Sequence, residues 1–474
     1  MKRRQFLAGS TAFAANSVLF AHAGFTSHTA LSQDKALSET QLNSLLEGWL
    51  GAFNADSASP YRAFITEYMP DGLPYIDDDL AVRDVSGGLQ LLRSEVTAPN
   101  QITGWVKDRS WDRFSKVILT ATDAHRLSDI TFRGAPAPTD FSIPRSTEQD
   151  ALRMFASRLR SETEAGRFSG AVLVAKKNQI LFRQAFGMAN VTDKIPALPQ
   201  TRFCIGSMGK MFTAVATLQL VQRDKIHLGD AIGRYLPDYP NASLAKKVTI
   251  EQLLTHTGGT GDIFGPKYDG HSEALSTPAK MITLFGGRDV EFEPGSKWYY
   301  SNYGYILLGA IIERVTGQEF NTFYADNIFQ PAGMHSTSQK APSGDKTAIP
   351  YTGAVGIGLK PLPPYYGTSA GGGYSTVDDF FAFARALQSN QLLDAKHTSL
   401  LTTGKVNGGS YSLGLAVSSR NGVPCYGHGG SAPGVNGDLT IYPQSGYITA
   451  ILCNRGYPLA LNAAGYIGAR LPAG

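Results

Sequence analysis

Apolar and polar positions change their period twice along this chain of 474 residues. Ser38-Glu-Thr-Gln41 has the form of a capping box. Behind it Leu42, Leu45, Leu46, Trp49, Leu50 and Phe53 recur at helical spacing and mark one apolar face. Ser59-Pro60 starts a second helix, with Ser as cap and Pro at the first helical position. From Gly88 to Arg133 the period becomes two. Leu89-Leu91, Ile102-Trp105, Phe114-Val117-Leu119 and Ile130-Phe132 predict four strands. Residues 34–133 therefore read as a small α+β domain, and Gly134-Ala-Pro-Ala-Pro138 opens a Pro-rich linker over 134–145.

The second stretch, 146–474, starts with Ser146-Thr-Glu-Gln149 capping a helix to about Gly166. A hairpin follows, Gly170 to Lys176 and Ile180 to Gly187, turning at Lys177-Asn178. Helical spacing dominates from Ser207 to about Leu387, including a strongly apolar run from Tyr303 to Val315. Strand patterns return at Leu413–Val417, Cys425–His428, Asp438–Tyr442 and Tyr447–Cys453, before a last helix from about Leu459. Strands, then helices, then strands predict an antiparallel sheet flanked by helices with an all-helical lobe beside it. A site would lie between the two, where pockets commonly form.

Composition changes this picture little. Hydrophobic residues make up 42% and charged residues 17%, enough for a substantial core. The net charge is +4, of which Lys2, Arg3 and Arg4 supply three, leaving +1 for the rest; that balance argues against a nucleic-acid surface. Lys2-Arg3-Arg4-Gln5-Phe6-Leu7 resembles a twin-arginine export core. A mildly apolar run to Phe20 and the small-x-small triplet Ala21-His22-Ala23 complete a signal peptide over 1–23. It implies a bacterial periplasmic or secreted protein, without stable membrane insertion once the signal is removed. Cys204, Cys425 and Cys453 show no zinc-like spacing. Cys204 has no adjacent base in the sequence and reads as a packed small residue.

The chemistry sits in three short motifs. In Ser207-Met-Gly-Lys210, residues three apart at a helix start share a face, which sets the lysine amine beside the serine hydroxyl. Burial lowers a lysine pKa, so the amine can take a proton near neutral pH. A nucleophile with an adjacent base is the minimum for covalent acyl transfer. Tyr300-Ser301-Asn302 follows about 90 residues on, with a phenol able to relay a proton and an amide able to hold a carbonyl. His428-Gly429-Gly430 lies about 126 residues further, in a Gly-rich strand edge from Tyr426 to Gly437 that a substrate backbone can approach closely.

These motifs, in this order, resemble the beta-lactamase-related serine hydrolases: class C beta-lactamases, D,D-peptidases, D-aminopeptidases and esterases on the same fold. Phe168-Ser-Gly-Ala-Val-Leu-Val, Leu253-Leu-Thr-His-Thr-Gly-Gly259, Gly333-Met-His-Ser-Thr337 and Ala370-Gly-Gly-Gly-Tyr-Ser-Thr376 add to the likeness. It implies that Ser207 attacks the acyl carbon and that Lys210 and Tyr300 share the base work. It also implies that Asn302 holds the acyl side of the substrate, with His428 and Gly430 on the binding strand. The backbone amides of Ser207 and Ser431 would form the oxyanion hole, worth on the order of 3 kcal/mol per donor. His256 and His335, in family-like turns, are expected to cap or pack. The implied reaction needs no metal or organic cofactor. The first domain resembles the cone-shaped NTF2-like (cystatin-like) fold carried by some of these hydrolases.

One departure bears on the substrate. Beta-lactamases and D,D-peptidases usually have Lys-Thr-Gly where this chain has His428-Gly429-Gly430. Lysine supplies a fixed charge for a substrate carboxylate, whereas histidine is mostly neutral near pH 7. The resemblance therefore implies an exported hydrolase of a neutral ester, lactone or amide. The alternatives are a D-amino-acid peptidase, D,D-carboxypeptidase or beta-lactamase, and a non-enzymatic binding protein on the same fold.

Overall fold

The computed structural model describes residues 36–340, 344, 346–353, 358–456 and 458–474. The signal-like segment 1–23 lies outside them. Among the described residues the chain forms two compact units, 36–144 and 145–474.

In the first unit, helix α1 (Glu39–Phe53) starts on the capping box: Gln41 N–H donates to Ser38 Oγ and Ser38 N–H to Gln41 Oε1. Helix α2 (Ala58–Tyr68) begins one residue before the predicted cap, flanked by Ser57 with no side-chain cap bond. Helix α3 (Ile76–Ser86) has no counterpart in the apolar pattern. Only Ile76, Leu80 and Ser86 are buried, and Asp77, Asp78 and Asp79 crowd its first turn, where they suit the helix dipole but leave no apolar stripe. Strands β1 (Leu89–Ala98), β2 (Gln101–Asp108), β3 (Phe114–Asp123) and β4 (Arg126–Gly134) pair in chain order as an antiparallel meander. Leu42, Leu46, Trp49 and Phe53 of α1 share one core with Ile102, Val106, Val117, Leu119 and Ile130. Each such side chain, once fully buried, contributes about 1.5–3 kcal/mol.

The second unit opens with α4 (Glu148–Glu164), capped by Thr147 rather than Ser146, with Asp150 N–H donating to Thr147 Oγ1. Strands β5 (Gly170–Lys176) and β6 (Gln179–Phe186) form the expected hairpin, with Lys177 at φ +54° in the turn. The chain then enters the helical lobe, whose main helices are α5 (Lys210–Gln222), α6 (Asn302–Thr316) and α7 (Val377–Gln388). It returns as β7 (Ala416–Arg420), β8 (Val423–Ala432), β9 (Val435–Ile441), β10 (Tyr447–Cys453) and the last helix α8 (Leu459–Arg470). The six strands run in the order β7-β8-β9-β10-β5-β6 with every neighbour antiparallel.

Strands β9 and β10 are buried at every position, so both sheet faces are covered. Alternate residues Ala171, Leu173, Leu439, Ile441, Ile448, Ala450 and Leu452 share a core with Met208, Phe212, Phe380 and Phe383 of the helical lobe. That alternation is the period-two signal meeting the helical one. Strand β7 pairs with β8 only as far as Gly427, so the segment 428–432 pairs with β9 alone. The turn before α5 fills the other edge: a Cβ on Gly430 would lie 1.9 Å from Ile205 O.

Candidate active site

Ser207 lies in a 3-10 turn, Gly206–Gly209, and the α-helix proper starts at Lys210. The sequence pattern places Ser207 at the helix start itself. A 3-10 turn has three residues per turn, so positions i and i+3 eclipse and bring serine and lysine closer than an α-turn does. Within 203–220 most positions are buried, but Ser207 is partly exposed. Gly206 takes φ +51°, and a Cβ there would lie 2.9 Å from Ser431 N. The turn thus sits against the β8 edge, with the Ser431 amide against Gly206, the residue before the serine.

Lys210 is fully buried. Its Nζ lies 3.3 Å from Ser207 Oγ and 2.6 Å from Asn302 Oδ1, and it donates to Ala370 O. It also stands 4.8 Å from the Tyr300 ring centre and 5.4 Å from that of Tyr305. Burial pulls the amine down to about 7, and the nearby Asp262 charge pulls it partly back up. Two of its three neighbours, Asn302 Oδ1 and Ala370 O, can only accept. As a neutral amine Lys210 satisfies both with its two N–H groups, and the lone pair is left for Ser207.

Asn302 is the first residue of α6, and Ser301 caps that helix by accepting from Gly304 N–H at 2.9 Å. Ser301 Oγ in turn donates to Gly261 O at 2.6 Å. Asp262 Oδ1 accepts from Asn302 Nδ2 at 2.8 Å and from Asn302 N at 3.3 Å. The carboxylate therefore turns the amide so that Oδ1 points at Lys210. Tyr300 is buried, and desolvation holds its phenol well above the ordinary tyrosine value despite a hydrogen bond with Ser207.

The structure thus brings Ser207, Lys210, Tyr300 and Asn302 together, with Gly430 and Ser431 alongside. His428 is different in kind. Its ring is buried, its Nε2 lies 3.1 Å from Tyr411 Oη, and its Nδ1 lies 2.6 Å from Gly429 O. Both ring nitrogens already have partners inside the protein. Burial and the Lys210 charge push the imidazole down to about 3, so it stays neutral. His256 packs as expected, with its ring 4.2 Å from that of Tyr300, while His335 is exposed. Cys204 is a buried thiol in a cluster with Tyr365, Tyr374 and Val435, pushed up to about 12 by desolvation, and so does not compete as a nucleophile.

The motifs did not mark Asp262, the Ala370 carbonyl or Tyr411. For Ala370 a signal existed: Gly371 takes φ +141°, and a Cβ there would lie 2.6 Å from Gly206 O, so the triple glycine lets that loop approach the serine turn. Among the described residues no group of three His, Cys, Asp or Glu side chains is placed to hold a metal ion. Nor is any helix there long and apolar enough to cross a membrane.

The pattern that defines the beta-lactamase family matches residues 153–471, about two thirds of the chain, and the protein belongs to this family of serine hydrolases. It is 30% identical over 301 residues to the putative penicillin-binding protein PbpX of Bacillus subtilis, covering 60% of this chain and 70% of that one. It is 36% identical over 177 residues to penicillin-binding protein 4* of the same organism, but there it spans only 38% of the relative's length. The crystal structure of a penicillin-binding protein from Bacillus halodurans superposes with a TM-score of 0.59 at 31% identity, covering 65% of this chain and 98% of that chain.

Proposed function

We propose that the protein is an exported hydrolase that forms an acyl-enzyme on Ser207 and acts on a neutral ester, lactone or amide. The observation that carries this reading is the Lys210 amine, 3.3 Å from Ser207 Oγ and brought by burial to about 7. As the Ser207 Oγ–carbon bond forms, the hydroxyl proton passes to Lys210 Nζ, and the carbonyl π pair moves onto oxygen. The Ser207 and Ser431 amides receive that negative charge. When the tetrahedral carbon collapses, the leaving group takes a proton from the Lys210–Tyr300 pair. The two groups interact too closely for one of them to own each step. Water then repeats the sequence and frees Ser207. Asn302 both fixes Lys210 and faces the acyl side.

The neutral substrate is supported by His428, which stands where a fixed lysine charge would meet a carboxylate and is itself uncharged. The names of the penicillin-binding relatives favour a second reading, acylation by a beta-lactam or a peptide amide. In this proposal 1–23 directs export, 34–133 is an NTF2-like domain, 134–145 is a linker and 146–474 carries the chemistry. Fluorophosphonate labelling of wild type and Ser207→Ala, followed by p-nitrophenyl esters, lactones, D-alanyl peptides and cephalosporins, tests it. Absence of Ser207-dependent labelling overturns the mechanism, and cephalosporins turned over far faster than esters overturn the substrate class.

A further inference from the structure

A directed hydrogen-bond chain lies beneath the site, using residues that the proposed mechanism does not. The Ser301 amide donates to His256 Nδ1 at 3.1 Å. That nitrogen must therefore be unprotonated, and in the neutral ring the proton sits on Nε2. His256 Nε2 lies 3.0 Å from Tyr411 Oη, so it donates to the phenol. At the far end Gly429 O, which can only accept, lies 2.6 Å from His428 Nδ1. That nitrogen carries the proton, and His428 Nε2 accepts from Tyr411 Oη at 3.1 Å. Two backbone groups, one at each end, thus set the tautomer of each histidine. All three side chains are about 1% exposed, so an unmade bond here would leave a buried polar atom without a partner, which is costly.

We propose that His256 and Tyr411 are positioning residues that hold His428 as its Nδ1–H tautomer, and that this tautomer pins the Gly429 carbonyl and so the strand edge ending at the Ser431 amide. The inference rests on the reading of Ser431 as an oxyanion donor. Gly429 and Gly430 are consecutive glycines, which gives this stretch of β8 more backbone freedom than residues with side chains have. It has no neighbour from β7, whose pairing stops at Gly427. The Nδ1–H bond holds the Gly429 carbonyl two residues before Ser431, next to the Gly430 carbonyl that accepts from Asn436 Nδ2 at 2.9 Å. Nδ1–H is the less usual tautomer of a free imidazole, and it persists here because Tyr411 donates to the other nitrogen. His256 already donates to the Tyr411 oxygen and Tyr305, also in hydrogen-bond contact with it, gives its own proton to Leu254 O, so the Tyr411 proton is assigned to the unprotonated His428 Nε2.

The same chain joins the two halves of the site. Its first donor is the backbone of Ser301, between Tyr300 and Asn302, and its last acceptor lies on the binding strand. His256 holds φ +60°, a strained conformation for a non-glycine residue that persists only where its surroundings demand it. The groups facing His256 are Trp298, Tyr300, Tyr305 and Tyr411, and Lys210 and His428 are the titratable groups whose charge would act on it. Those facing His428 are Tyr300 and Tyr411, again with Lys210 as the charge. None of these favours a proton on either ring.

The test uses the full chain with 15N-labelled histidine and the variant Tyr411→Phe. In the wild type, nitrogen shifts should identify His428 as Nδ1–H and His256 as Nε2–H, with neither ring titrating between about pH 5 and 8. Tyr411→Phe should move His428 toward Nε2–H and lower kcat for a p-nitrophenyl ester roughly 10- to 100-fold with KM little changed, as expected when a catalytic donor is misplaced. His428→Asn keeps a donor in the Nδ1 position that does not depend on Tyr411. In that background Tyr411→Phe should cost much less. A wild-type His428 in the Nε2–H form overturns the proposal, as does an unchanged kcat in a Tyr411→Phe protein whose His428 has switched. If that variant does not fold, the wild-type tautomers decide. If the wild type is neither labelled nor active, the functional reading falls, while the tautomers still report on the hydrogen-bond chain.

Discussion

Asn302 Oδ1 lies 2.6 Å from Lys210 Nζ, nearer than the 3.3 Å that separates the amine from Ser207 Oγ. The lysine is thus held by Asn302 and the Ala370 carbonyl, and offered to Ser207. This ordering suits a group that must give up a proton and take one back without moving.

Ser207→Ala should abolish turnover and fluorophosphonate labelling while leaving the melting temperature nearly unchanged. The serine makes no side-chain cap bond to its helix, so the penalty of about 1 kcal/mol for losing such a cap does not apply. Labelling and thermal unfolding, measured on the same sample, check it. An active variant would remove Ser207 as nucleophile.

Lys210→Ala and Tyr300→Phe should each lose several orders of magnitude in kcat. The double variant should be little worse than the worse single, because members of one proton-transfer unit are not additive. Lys210→Ala should also lower stability, since it strips a donor from the buried Asn302 Oδ1 and Ala370 O. Kinetics of all three variants decide the matter, and fully additive losses would show that the pair does not act together.

Ester hydrolysis should rise through an apparent pKa near 7 as the Lys210 amine becomes neutral. Burial places the folded value below the unfolded value of 10.5, so above pH 7 the unfolded chain binds more protons at this site. The Lys210 contribution to stability is therefore least below pH 7 and grows as pH rises from 7 toward 10.5. A profile of kcat/KM against pH is the measurement.

Asp262→Asn should move that acid limb to lower pH. The carboxylate is the one charge that raises the lysine value, and asparagine can still accept from the Asn302 amide. A limb that stays in place, or moves upward, would count against the Asp262–Lys210 coupling.

A chain of residues 141–474 should fold and label at Ser207. The first unit has a core of its own, and the catalytic motifs all lie downstream. Starting at 141 keeps Arg145, which donates to Leu471 O and, at 2.9 Å, to Arg420 O. Insolubility of the shorter chain, with full-length protein active alongside, would show that the units depend on each other.

Local periodicity alone carried the two antiparallel sheets, the hairpin turn at Lys177 and the helices α1, α4 and α6, because apolar spacing reports which side of an element is buried. Helix α3 escaped, since three acidic residues in its first turn leave no apolar stripe to see. Spacing also named Ser207, Lys210, Tyr300 and Asn302, because their residue types carry the chemistry. Their partners were hidden or, for Ala370, marked only by the glycines that follow it. Ala370 acts through a backbone carbonyl that every residue possesses, 160 positions from Lys210. Tyr411 meets His256 across 155 positions. Asp262 follows a Gly-rich turn that looks like any other. The kinds of group present could be read from the chain. Which oxygen orients the lysine, and which tautomer each histidine keeps, was decided only when packing brought distant segments into the same dry interior, where an unpartnered polar atom is costly and each proton must have an assigned place.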